Sequence, residues 1–93
     1  MIKSFSDKDL GHCWMFEKCE KIKQDLVSRA LRKLDIIDAA TCINDIYLAP
    51  GCFAHMLTGK RHGEFAVKVN GPWRIVFRFE DGDAYDVGIE QYH

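Results

Sequence analysis

The stretch Phe65-Ala66-Val67-Lys68-Val69-Asn70-Gly71-Pro72-Trp73-Arg74-Ile75-Val76-Phe77-Arg78-Phe79 decides the fold. Before the Asn-Gly step, Phe65, Val67 and Val69 alternate with Glu64, Ala66 and Lys68. After it, Trp73, Ile75, Phe77 and Phe79 fall on one face of a strand and Arg74, Val76 and Arg78 on the other, because side chains in a strand repeat every two residues. Asn-Gly between alternating runs predicts a hairpin with a type I′ turn, in which both central residues take positive φ. A second turn at Asp81-Gly82 leads to Tyr85, Val87 and Ile89, alternating with Asp86, Gly88 and Glu90. Three consecutive antiparallel strands follow, and their aromatic face requires a helical cover.

The other half of the chain supplies that cover. Ile22, Leu26, Ala30 and Leu34 recur every four residues with Val27 and Leu31 beside them, while Lys21, Gln24, Asp25, Ser28 and Arg32 lie opposite. This is the stripe of a helix packed on one side. Ahead of it, Ser6 reads as the N-cap of a less regular helix carrying Leu10, Cys13, Trp14 and Phe16, with Asp7 and Asp9 at its positive end and Gly11 weakening it. Thr41 reads as the cap of a short helix through Tyr47, stopped by Pro50-Gly51. Met1 to Phe5 is short and partly alternating, and is expected to join the sheet. The reading is a single α+β domain over residues 1–93, with N-terminal helices packed on a small antiparallel β-sheet.

Composition bounds the function. Ninety-three residues with 13 Lys+Arg, 14 Asp+Glu and 47% hydrophobic residues make one core and a net charge of −1. A chain of this length buries only about 60% of its unfolded surface, which favours a partner. The charge balance excludes binding to nucleic acid or anionic membrane by gross charge. The absence of a spanning apolar run and the charged start Met-Ile-Lys-Ser-Phe-Ser-Asp-Lys-Asp lead us to expect a cytoplasmic protein. Cys13, Cys19, Cys42 and Cys52 are spaced by 6, 23 and 10 positions, which fits neither zinc-ligand spacing nor a stapled mini-domain. They are read as reduced thiols filling small apolar spaces, with no metal site.

Charge is nonetheless divided along the strands. Residues 60–78 hold five basic side chains, Lys60, Arg61, Lys68, Arg74 and Arg78, against one acid, Glu64, whereas residues 80–90 hold five acids and no base. Arg74 and Arg78 share a strand face, and Lys68 can join them across the hairpin. Such a face is either a floor for phosphates or a solvated surface whose arginines pair with Asp86 and Glu90 on the next strand.

The run Gly59-Lys60-Arg61-His62-Gly63-Glu64-Phe65, then Asn70 to Phe79, then Gly82-Asp83-Ala84-Tyr85-Asp86-Val87 and the ending Tyr92-His93 resemble the HigB toxins, a branch of the RelE superfamily. The match is tight over about half the chain, and residues 10–33 agree only in helical character. The resemblance implies a RelE-like fold and a type II toxin that cuts mRNA in the ribosomal 30S A site without a metal or other cofactor. It also implies a cognate HigA-type antitoxin, through which alone operator DNA is contacted, and no membrane association. It assigns His55, Arg74, Tyr92 and His93 to catalysis, Arg74 holding the scissile phosphate, and Lys60, Arg61, Lys68 and Arg78 to guiding RNA. Trp73 reads as core rather than as a base-stacking residue.

Two positions depart from the family pattern. Gln91 stands where an acid often precedes Tyr-His, and Thr58 stands where a lysine often precedes the glycine. These losses keep open one alternative, a weakened RelE-like module acting mainly as an antitoxin-binding corepressor; a second, a ParE-like gyrase poison, stays open because it shares the general fold. His62, near the same loop, is a candidate to substitute for a missing group. The small net charge implies weak affinity for free RNA and a need for the ribosome to present the substrate.

Overall fold

The computed structural model describes residues 1–91 and contains helices α1 (Lys8–Phe16), α2 (Val27–Ala39) and α3 (Ile43–Leu48). Strands β1 (His55–Met56), β2 (Glu64–Asn70), β3 (Trp73–Glu80) and β4 (Asp83–Gln91) form one antiparallel sheet in the order β1-β2-β3-β4. The expected α+β class and the three-stranded meander are present, with β1 added at the edge beside β2.

The hairpin turns differ from each other. Asn70 pairs with Trp73, so the first loop is Gly71-Pro72, with Gly71 at φ 55 and the following φ fixed near −65° by the proline ring. Glycine at the first central position is the pattern of a type II′ turn, not the type I′ turn expected at Asn70-Gly71. The second loop, Asp81-Gly82, has both residues at positive φ, 51 and 84, as type I′ requires.

β4 carries an irregularity that the alternation did not reveal. Val76 pairs with Gly88 but Arg78 pairs with Tyr85, so one residue of β3 faces two of β4, and Asp86 takes φ 54. This bulge reverses the side-chain phase. Ala84 and Val87 both enter the core, and Tyr85, expected beside Val87, instead lies with its ring 5.3 Å from the Arg78 guanidinium.

The N-terminal segment runs parallel to β4 as two isolated bridges, Ile2 with Ala84 and Phe5 with Val87. The bulge prevents a continuous ladder there, and the Ser4 hydroxyl accepts the Asp86 backbone N–H instead (2.9 Å). Asp7, not Ser6, caps α1, accepting the N–H groups of Asp9 and Leu10 (3.0 and 3.1 Å). The predicted stripe Ile22, Leu26, Ala30, Leu34 is buried in full, but Ile22 precedes the helix, Leu26 ends a 3₁₀ turn (Gln24–Leu26), and Ile37 extends the stripe at the other end. Cys42, not Thr41, is the cap residue of α3, and Thr41 donates its N–H and its hydroxyl to Asp45 (2.9 and 3.1 Å).

The cysteine expectation is corrected at one pair. Cys13 and Cys19 form a disulfide. α1 ends at Phe16, Glu17 adopts the left-handed conformation (φ 58), and the Lys18 N–H bonds back to the His12 carbonyl. This reversal brings the two Cα atoms to 4.3 Å. Cys42 and Cys52 are free thiols. Cys52 is buried in the core, which pushes its pKa up.

The core lies between the helices and the inner face of the sheet. Val67, Ile75, Phe77 and Val87 are fully buried against Leu10, Leu26, Leu34, Ile37 and Ile46, with the Phe65 and Phe77 rings stacked at 6.0 Å. Each such side chain contributes roughly 1.5–3 kcal/mol by leaving water. The outer face of the sheet has only a small apolar patch, Leu57, Ala66 and Val76. No helix among the described residues is long and apolar enough to cross a membrane.

Candidate functional site

Residues paired across neighbouring strands point to the same side of a sheet, so the register assigns the polar face directly. Lys68 of β2, Arg74 of β3 and Glu90 of β4 form one row across the outer face. His55 of β1 lies one row over, opposite Ala66 and, through it, Val76. The small side chain of Ala66 leaves space between the rows.

That space is a cavity of about 270 Å³, lined among others by Phe53, His55, Lys68, Pro72, Trp73 and Arg74. His55 is exposed at its edge, with Nδ1 3.4 Å from the carbonyl oxygen of Phe53. Lys68 is exposed too, and its Nζ lies 5.6 Å from the centre of the Phe53 ring. Arg74 is the most enclosed cation of this face, with its side chain 17% exposed. Trp73 packs against the core and lines the cavity as well.

Glu90 organises the cations beside the cavity. Its Oε1 accepts from Arg74 Nη2 at 2.8 Å and from Arg61 Nη1 at 2.7 Å, and Arg61 Nη2 also donates to Glu64 Oε1 at 3.1 Å. The bonds from Arg61, then those from Arg74, hold the Glu90 carboxyl below its ordinary pKa despite partial burial. Glu90 is therefore a fixed anion that sets the direction of two guanidinium groups rather than a ready proton acceptor. A guanidinium held in one orientation is a preorganised fork of the kind that recognises phosphate.

The remaining predicted residues are distributed unevenly. Lys60 and Arg61 sit on a 3₁₀ turn (Gly59–Arg61) preceded by Thr58, with Lys60 exposed and Arg61 tied into the Glu90 network. Arg78 stands at the far end of the face, where it donates to Asp86 (2.9 Å) and Glu80 (2.8 Å). The pairing of the arginines with Asp86 and Glu90, one of the two readings of the charged strands, is thus the arrangement found. His62 is exposed just after the turn. Gln91 ends β4 opposite Trp73. Tyr92 and His93 lie outside the described residues.

The structure therefore gathers His55, Lys68 and Arg74 around one cavity, links Arg61 to it through Glu90, and leaves Arg78 in a separate ion-pair cluster. Phe53 and Glu90 belong to the same surroundings and were not among the expected site residues. Glu90 was detectable from its place opposite Arg74 in a three-stranded register. Phe53 belongs to an irregular stretch with no period to mark it.

Comparisons with known proteins identify the family. A family model described as the RelE-like toxin of type II toxin-antitoxin system HigB matches residues 3–93. Endoribonuclease HigB of Proteus vulgaris is 38% identical over a 99-residue alignment covering 100% of both chains. Toxin HigB-1 of Vibrio cholerae is 30% identical over 93 residues, covering 99% of this chain and 98% of the relative. Among solved structures, YafQ from E. coli superposes with a TM-score of 0.54 at 17% identity, covering 98% of this chain and 91% of that one, a likeness of fold. With the family model spanning nearly every residue and a relative aligned from end to end, the chain belongs to the HigB-like toxins, RelE-like toxins of type II toxin–antitoxin systems.

Proposed function

We propose that this chain is a ribosome-dependent mRNA endonuclease whose active site is the outer face of the sheet around His55 and Arg74. The observation that carries the reading is the convergence of His55, Lys68 and Arg74 on one cavity. Cleavage of RNA through its own 2′-hydroxyl forms a bond from the 2′-oxygen to phosphorus and breaks the bond to the 5′-oxygen. The 2′ proton must leave to a base, the departing 5′-oxygen must gain a proton, and the phosphorane between them needs cations. Imidazole exchanges protons near neutral pH, which suits His55 and His93 to the two proton roles. Arg74, oriented by Glu90, holds the scissile phosphate, Tyr92 completes the site, and Lys60, Arg61, Lys68 and Arg78 guide the RNA.

The ion pairs support a dependence on the ribosome. Arg61, Arg74 and Arg78 each already face a carboxylate, which reduces the net positive charge this face presents to free RNA. Delivery of the message in the 30S A site replaces that missing affinity with proximity. As a type II toxin the chain has an antitoxin partner. We take that partner to be of the HigA type, covering the basic face and supplying the contacts to operator DNA, with the complex acting in the cytoplasm.

The test is incubation of the purified chain with a translating ribosome system, followed by mapping of message ends, for the natural sequence, His55→Ala and a chain lacking His93. Cuts in translated mRNA that disappear in both variants support the proposal. Intact message with the natural chain, or equal cleavage by all three, contradicts it, and breaks in DNA instead identify a gyrase poison. A corepressor role is the second reading, favoured by Glu90 occupying two arginines and by Thr58 and Gln91 replacing ionisable groups. It requires repression by the antitoxin complex without any message cleavage.

A further inference from the structure

Phe53 stands apart from the other aromatic residues of the chain. It is 73% exposed, the most exposed aromatic side chain among the described residues, so it gains little from the core. Its backbone has φ 47, a left-handed conformation seldom adopted by residues with bulky side chains. An exposed ring on a disfavoured backbone is not accounted for by folding, and such positions concentrate at ligand-binding sites. Two contacts define its surroundings. Its carbonyl faces the His55 imidazole, and its ring lies 5.6 Å from the Lys68 ammonium. Trp73 and Arg74 line the same cavity.

From these observations we infer that Phe53 is a stacking platform for a nucleobase of single-stranded RNA, and that it fixes the nucleotide whose backbone passes His55 and Arg74. Any base offers a flat π face to an exposed ring, which makes the contact tolerant of sequence. Lys68 beside the ring supplies a cation for the adjoining phosphate and polarises the aromatic face. The chain between Phe53 and His55 is a single residue, so a base held on the ring has its ribose beside the histidine. Phe53 is a positioning residue in this arrangement. The inference rests on the endonuclease reading for its substrate, but its binding step is measurable without cleavage.

The experiment is an NMR titration of the full chain with a 2′-O-methyl RNA trinucleotide, which lacks the 2′-hydroxyl needed for cleavage. The natural chain, Phe53→Leu, Phe53→Tyr and Phe16→Leu on α1 are compared. Stacking predicts upfield movement of base protons with the natural chain and with Phe53→Tyr. Half-saturation by Phe53→Leu should require about tenfold more trinucleotide, with Phe16→Leu unchanged. In the translating system Phe53→Leu should raise KM more than it lowers kcat, with Phe53→Tyr restoring the natural value. Absence of ring-current shifts with the natural chain, or equal binding by Phe53→Leu, overturns the inference. Stacking by a natural chain that leaves translated mRNA intact would instead overturn the endonuclease reading.

Discussion

The inner and outer faces of β2, β3 and β4 are built from alternate residues of the same strands, yet different forces hold them. On the inner face Val67, Ile75, Phe77 and Val87 have no exposure, and their stability comes from the area removed from water. On the outer face Arg74 and Glu90, with Arg61 reaching in from the turn before β2, are joined by hydrogen-bonded ion pairs that solvent still reaches. Exposed pairs of this kind contribute little to stability, with a median of about 0–1 kcal/mol. The contrast teaches that the inner face fixes the sheet, whereas the outer face uses its charges to orient guanidinium groups at the surface.

This division can be broken by mutation. Phe77→Ala should lower unfolding free energy by about 3–5 kcal/mol in urea denaturation, through lost burial and a residual cavity. A loss below about 1 kcal/mol would mean that the inner face is not the stabilising one. Replacing Cys13 and Cys19 together by alanine should cost about 2 kcal/mol, the loop entropy of a short closed segment, in the same measurement. Breaking an outer-face pair should matter less: Glu90→Gln is expected to change stability by no more than about 1 kcal/mol at neutral pH.

Acid titration sharpens the comparison further. The Glu90 carboxyl is held below its ordinary value of 4.5, chiefly by Arg61. The folded state therefore takes up this proton less readily than the unfolded chain, and the contribution of Glu90 is complete above pH 4.5 and lost as pH falls through the lower folded value. Glu90→Gln should flatten the dependence of stability on pH in that acid window and leave it unchanged at neutral pH. An unaltered acid slope would show that the network does not hold the carboxyl.

The inner face was legible from the alternation of Phe65, Val67, Ile75 and Phe77, because one buried face on a strand forces a period of two. The stripe Ile22, Leu26, Ala30, Leu34 was legible for the same reason at helical spacing. Three features were not. The bulge at Asp86 inserts one residue and shifts the phase of β4, so Tyr85 was assigned to the wrong face. The Cys13–Cys19 bridge depends on the left-handed reversal at Glu17, which no spacing rule encodes. Of the candidate site, His55 came from resemblance, Arg74 and Lys68 from strand period and hairpin pairing, while Phe53 owes its position to an irregular loop.

The central claim is that the outer face is catalytic and dispensable for folding. It is tested most directly by measuring, for Arg74→Ala, both cleavage of translated mRNA and the urea unfolding midpoint. The account predicts a cleavage rate reduced about a hundredfold or more, the usual consequence of removing a transition-state cation or donor, with stability changed by no more than about 1 kcal/mol. Undiminished cleavage, or an unfolding loss as large as that of Phe77→Ala, would contradict it.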